Sequence, residues 1–199
     1  MSLLQSLSGL ANRHLGKAHQ AALRNAYRRA KSAATPVMRA WYGPFDCEAL
    51  RRHLEAELPR DWSILFVHSS LQGLQPAFNG APLDLVRMLI AMTGPERTIA
   101  MPAFYFGDPA IGGAGKTFLA NPRFDLKRTP SQMGLPSELF RRSAGVVQSR
   151  NPVYRVAALG PLAAELVQGH ETAPTLCGAG TPFDVMARRD ALIIGIGKP

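Results

Sequence analysis

Two serines and a histidine follow directly on an apolar run, Ile64 to Val67, in the segment Val67-His68-Ser69-Ser70-Leu71. An apolar run of that length reads as a buried strand, and residues leaving such a strand stand where open α/β sheets bind ligands. Two hydroxyls and an imidazole there can hydrogen-bond a polyanionic ligand. Equally, Ser69 and Ser70 can simply cap the turn that follows. Met101-Pro102 repeats the arrangement at the end of the next apolar run. Thr129-Pro-Ser-Gln-Met133-Gly134 then sets a glycine, which allows close backbone approach, just before a short helix carrying Glu138, Phe140 and Arg141. Gln148-Ser149-Arg150-Asn151-Pro152, Ala158-Leu-Gly-Pro161, Gly180-Thr-Pro-Phe183 and Gly195-Ile-Gly197 complete the series.

The other residues able to do chemistry read as structural. His14 and His19 belong to a basic N-terminal arm, and His53 sits on a charged helix face. His170 follows Gly169 at a helix end, where a capping role is expected. Cys47 and Cys177 are far apart and form no Cys-x-x-Cys pair, which excludes a disulfide scaffold and a cysteine-built zinc site. They suit a reducing compartment, and a cytoplasmic protein is expected. Ala110-Ile-Gly-Gly-Ala-Gly-Lys116-Thr117 fits a relaxed phosphate-loop pattern, which would make the chain a nucleotide hydrolase. A phosphate loop needs a strand before it and a helix after it. Pro109 in the lead-in and Asn121-Pro122 downstream deny it both, so a flexible glycine loop is the expectation.

The elements that must position these residues alternate. A helix is expected from Asp46 to about Leu58, with Leu50, Leu54 and Leu58 on one face, and a strand from Ser63 to Val67. Leu83 to Met92 reads as a helix stopped by Gly94-Pro95, and Thr98 to Met101 as a second strand. Residues 103 to 132 are rich in glycine and proline and read as a long functional loop. Ser137 to Arg142 and Pro161 to Val167 read as helices; Val146-Val147, Arg155 to Leu159 and Ala191 to Ile194 read as extended. Such alternation implies an α/β layered fold with a mixed, largely parallel sheet.

The formal net charge of +9 invites a nucleic-acid reading, but seven of the 23 basic residues and none of the 14 acidic ones lie in residues 1 to 45. The basicity belongs to that arm, which reads as one or two amphipathic helices, while residues 46 to 199 form one nearly neutral domain. Basic residues are not interleaved with aromatics, so a nucleic-acid partner is not expected. No apolar stretch reaches the ~20 residues of a membrane-spanning helix, and a soluble protein is expected.

In order and spacing, residues 46 to 199 resemble the aminoglycoside 3-N-acetyltransferase family. The His-Ser-Ser-Leu and Met-Pro strand ends, the Thr-Pro-Ser-x-Met-Gly loop, Glu-x-Phe-Arg and the closing Gly-x-Gly carry the likeness. The resemblance implies a three-layer α/β/α fold, with acetyl-coenzyme A as donor and a primary amine of an amino sugar as acceptor; a homo-oligomer is possible within it. It implies that His68, Ser69, Ser70 and Leu71 line the coenzyme A site, with Met133, Gly134 and Ser149 nearby. The family's general base is a histidine in a Thr-x-x-His-x-x-Glu segment after the last Gly-x-Gly. The sequence given stops at Lys198-Pro199, so that base is expected to lie beyond it, and a non-catalytic coenzyme A or nucleotide binder is the alternative. Gln148 replaces a usual Arg, Asn151 a His, Arg155 a Ser and Asn79 a Gly, which leaves the acceptor open.

Overall fold

In the computed structural model, residues 33–197 are described continuously, with His19, Ala22, Asn25, Ala26, Arg29 and Ala30 before them. The chain divides into two compact units, Met1–Pro44 and Phe45–Pro199. In the first unit the isolated positions are helical, and helix α1 spans Thr35–Tyr42. Most of the expected arm, with its apolar stripe, lies outside the described residues.

The second unit opens with helix α2 (Cys47–Glu57), whose first turn is capped by the Asp46 carboxylate accepting the Ala49 N–H. Strand β1 (Ile64–Ser69) follows, then the single turn α3 (Leu71–Leu74) and helix α4 (Pro82–Thr93). Pro82 pre-sets the first turn of α4, and Gly94, at φ +72°, ends it in a left-handed conformation. Strand β2 (Thr98–Pro102), helix α5 (Ala114–Ala120) and helix α6 (Leu135–Phe140) come next. Strands β3 (Val147–Gln148) and β4 (Val156–Leu159), helices α7 (Ala163–Val167) and α8 (Pro182–Arg188) and strand β5 (Leu192–Ile196) complete the unit.

The strands form one sheet in the order β3-β4-β2-β1-β5. β1 pairs in parallel with β2 and β5, whereas β4 runs antiparallel to β2 and β3 antiparallel to β4. Helices cover both faces. Leu65, Val67, Ile99 and Met101 pack with Leu50 of α2, Leu85 and Leu89 of α4 and Phe140 of α6. Ile64, Phe66, Ala100 and Val156 pack with Ala163 and Leu166 of α7 and Val185 and Met186 of α8. This is a three-layer α/β/α fold with a mixed sheet. A parallel strand covered on both sides needs an unbroken apolar run, and Ile64 to Val67 supplies it.

Three boundaries differ from the sequence expectation, each for a tertiary reason. β1 runs two residues further, because β5 offers Gly195 and Ile196 as ladder partners to His68 and Ser69. A short helix, α5, forms inside the stretch expected to be irregular, and it stops before Pro122. Pro182 to Arg188, assigned no element from the sequence, is helical, with the Thr181 side chain capping it through the Asp184 N–H.

Candidate functional site

The sheet delivers the carboxyl ends of β1 and β5 side by side, and the chain turns sharply there. The Ser70 N–H donates to the Ile196 carbonyl at 2.8 Å, seating α3 directly on the end of β5. Two glycines make this approach possible: a Cβ on Gly73 would collide with the Gly197 carbonyl, and one on Gly197 with the Ser70 carbonyl. The closing Gly-x-Gly is therefore a docking surface for the turn after β1.

Beside this turn lies a cleft of about 440 Å³, with Ser69, Ser70 and Leu71 on one side and Gln132 to Pro136 on the other. Five of the seven residues expected at a coenzyme A site thus meet here: Ser69, Ser70, Leu71, Met133 and Gly134. The two serines are not equivalent. Ser70 is the N-cap of α3, its hydroxyl accepting the Gly73 N–H at 3.2 Å. Ser69 is 3% exposed, and its hydroxyl is buried without a hydrogen bond. An unpaired buried hydroxyl is costly and calls for an explanation at a functional site.

The opposite wall is irregular chain held by side-chain hydrogen bonds. The Gln132 side chain accepts the Phe106 N–H at 2.7 Å and donates to the Gly107 carbonyl at 2.8 Å. Glu138 accepts the Ser131 N–H at 2.7 Å and forms a two-pronged pair with Arg141 at 2.6 Å. Burial pushes the Glu138 carboxyl up, but Arg141, the Ser131 amide and Arg142 together hold it below the usual range. Gly134 stands at φ +100°, a conformation that L side chains rarely adopt, at the start of α6. Gln132, Leu135 and Pro136 line the cleft without having been singled out. Their signal was their adjacency to Met133-Gly134.

His68 and Ser149 are not among the residues lining this cleft. Because β1 extends through Ser69, side chains alternate, and His68 falls on the face of Phe66, whose ring it meets edge-on at 4.9 Å. Ser149 is fully buried, where its hydroxyl accepts the Val156 N–H at 2.9 Å and meets His170 Nδ1 at 2.8 Å. His170 is consequently not a helix cap. It lies buried, and its Nε2 has no partner. A Ser149 O–H donating to Nδ1 leaves only the Nε2 proton unpaired, so the neutral Nε2–H tautomer satisfies the most groups.

Burial pushes the His170 imidazole below its ordinary pKa, an effect that Glu171 partly offsets. The linkage sign follows. The unfolded chain takes up a proton as pH falls through about 6.5, while the folded chain resists it, so stability is complete above that value and falls below it. We expect urea stability to drop between about pH 7 and pH 5 more steeply than in His170→Gln, which carries no titrating ring. Equal slopes in the two proteins would show that the buried imidazole is not the source.

The glycine loop is no phosphate cradle. No strand precedes it after Pro102, α5 has seven residues, and the Thr117 hydroxyl is occupied by the Gly113 carbonyl and the Asp108 N–H, each at 2.8 Å. Among the described residues no cluster of His, Cys, Asp and Glu could hold a metal ion, and no helix is long and apolar enough to cross a membrane.

The family model for aminoglycoside 3-N-acetyltransferase matches residues 66–199. The chain belongs to that family. Aminoglycoside N(3)-acetyltransferase III from a Salmonella species is 29% identical over 144 residues, covering 68% of this chain and 50% of the relative. The same figures hold for the proteins of that name from Enterobacter cloacae and Acinetobacter baumannii. The chain spans about half the length of the curated relatives it matches. Among solved structures, aminoglycoside acetyltransferase AAC(3)-Xa superposes with a TM-score of 0.67 at 23% identity, covering 85% of this chain and 62% of that one. AAC-VIa, solved bound to sisomicin, gives 0.61 at 27% identity over 78% of this chain and 60% of that one. AAC-IIIb, solved as a binary complex with CoASH, gives 0.58 at 22% over 78% and 60%. These solved structures share the fold of this chain.

Proposed function

We propose that the cleft between Ser69–Leu71 and Gln132–Pro136 is the donor site of an N-acetyltransferase. It would take acetyl-coenzyme A and serve transfer of the acetyl group to a primary amine of an aminoglycoside or another amino sugar. The observation that carries the reading is the Ser69 hydroxyl, buried and unpaired at the wall of the cleft. Leu71, Met133, Leu135 and Pro136 give an apolar surface for a pantetheine arm, and Ser69 offers a donor for the thioester carbonyl.

Acetyl-coenzyme A, when bound, would supply a thioester whose carbonyl carbon is open to attack by an amine. The acceptor nitrogen forms the new C–N bond, the C–S bond breaks, and the sulfur leaves as coenzyme A thiol. An amine attacks only when neutral, so its proton must pass to a base poised near neutrality. Charge that grows on the carbonyl oxygen is stabilised by preorganised donors, a role the Ser69 O–H can fill. Glu138 and Gln132 hold the opposite wall so that the donor cannot drift.

None of the residues lining the cleft is a histidine. The 199-residue chain is therefore expected to bind coenzyme A and to acetylate amino sugars slowly, since a missing general base costs about 10²–10⁴ in rate. Calorimetric titration with coenzyme A, followed by thiol release with amino sugars present, tests this. No heat at millimolar coenzyme A would end the donor-site reading.

A further inference from the structure

Arg155 begins the segment leading into β4, and its whole side chain is buried. A buried guanidinium is normally matched by a carboxylate, yet the salt bridges among the described residues give Arg155 none. Its charge is met by backbone instead. Nε donates to the Ala103 carbonyl at 3.2 Å, Nη1 to Leu126 at 3.2 Å, and Nη2 to Thr129 at 2.9 Å and Pro130 at 3.3 Å. The Phe124 ring lies 5.4 Å from the guanidinium carbon. Burial and the neighbouring Arg141 push the group down to about 10, so it keeps its proton at neutral pH.

The carbonyls it gathers come from two irregular stretches, one on either side of α5 in sequence. Ala103 follows β2 directly, and Leu126, Thr129 and Pro130 lie in the irregular chain between α5 and α6. That chain runs straight into Gln132–Pro136, one wall of the cleft. A planar fork with five donors suits the task, because one side chain can bind several diverging acceptors at once. A lysine at this position would keep the charge and lose the span.

We infer that Arg155 is a positioning residue, which fixes the Gln132–Pro136 wall and so sets the cleft's affinity without touching the ligand. Nothing in the family resemblance supplies this, since the position carries a serine there. Only the consequence for binding rests on the donor-site reading; the consequence for the wall stands apart from it.

The test uses the full chain with Arg155→Met and Arg155→Lys, read by amide hydrogen exchange and by titration with coenzyme A. The reporters are the amides of Ser131 and Gln132, which donate to Glu138 and to the Phe104 carbonyl. Both variants are expected to lose protection there while β1 and β2 keep theirs, and to bind coenzyme A at least about tenfold more weakly, as misplaced groups do. Unchanged protection at Ser131 and Gln132 in both variants overturns the inference, as does wild-type affinity in a variant whose wall has loosened. Should Arg155→Met lose protection throughout, Arg155→Lys decides. General loss in that variant too would mean that Arg155 holds the core, not the wall. If the wild-type chain gives no heat with coenzyme A, the donor reading fails alone, and exchange at the two amides still decides the role of Arg155.

Discussion

Ser69→Ala should leave the fold as stable as before and weaken coenzyme A binding, while Ser70→Ala should lower stability. The two neighbours have opposite hydrogen-bond accounts. Ser70 accepts the Gly73 N–H and caps α3, so its loss is expected to cost about 1 kcal/mol, the usual worth of an N-cap. Ser69 has no partner in the folded chain, so alanine there removes a desolvated hydroxyl that stabilises nothing. If that hydroxyl donates to the donor's carbonyl, its deletion should cost about 1–3 kcal/mol of affinity, roughly 5- to 150-fold. Urea unfolding and calorimetry on each single variant separate the effects. A Ser69→Ala protein with unchanged affinity would move the ligand away from this strand end.

A larger loss of stability is expected from Gly73→Ala. Its new methyl group would occupy the space of the Gly197 carbonyl, which is backbone and cannot rotate aside. The contact lies between α3 and the end of β5, so relief requires lifting the turn from the strand and breaking the Ser70-to-Ile196 hydrogen bond. Overpacking costs about 1–3 kcal/mol where side chains can yield, and backbone against backbone belongs at the upper end, near about 3 kcal/mol. Because the turn is also a wall of the cleft, coenzyme A affinity should fall with stability. Wild-type values of both would show that α3 does not dock on β5 in solution.

The sequence made the scaffold legible where the physics is local. Ile64 to Val67 is apolar without interruption because both faces of a central parallel strand are covered. Pro82, Asp84 and Gly94 bracket α4 with ordinary start and stop signals. The ends of elements were harder to read. Whether β1 includes His68 and Ser69 depends on β5, which pairs with it from the far end of the chain. That pairing decides that the two side chains face opposite ways, so His68 could not be separated from Ser69 by inspection. Thr181 and Pro182 did offer a capping residue followed by proline at the first helical position, a readable start for α8. Ser149 with His170, and Arg155 with its four carbonyls, left no local trace. Their partners lie 21 to 52 residues away.

The place of β5 at the sheet edge beside β1 also bears on how the molecule is made. Leu65 pairs with Leu192 and Ser69 with Ile196, so one flank of the buried strand β1 finds its partner only 127 residues further along the chain. β2 can join β1 early, but closing the long span to β5 carries the entropy of a large loop and slows acquisition of the native topology. During that interval an apolar strand edge stands open on the nascent chain, a template for pairing with other chains. The Gly73–Gly197 junction forms at the same late moment. The cleft is thus assembled only once this long-range pairing is made, and its formation can report that β5 has joined β1.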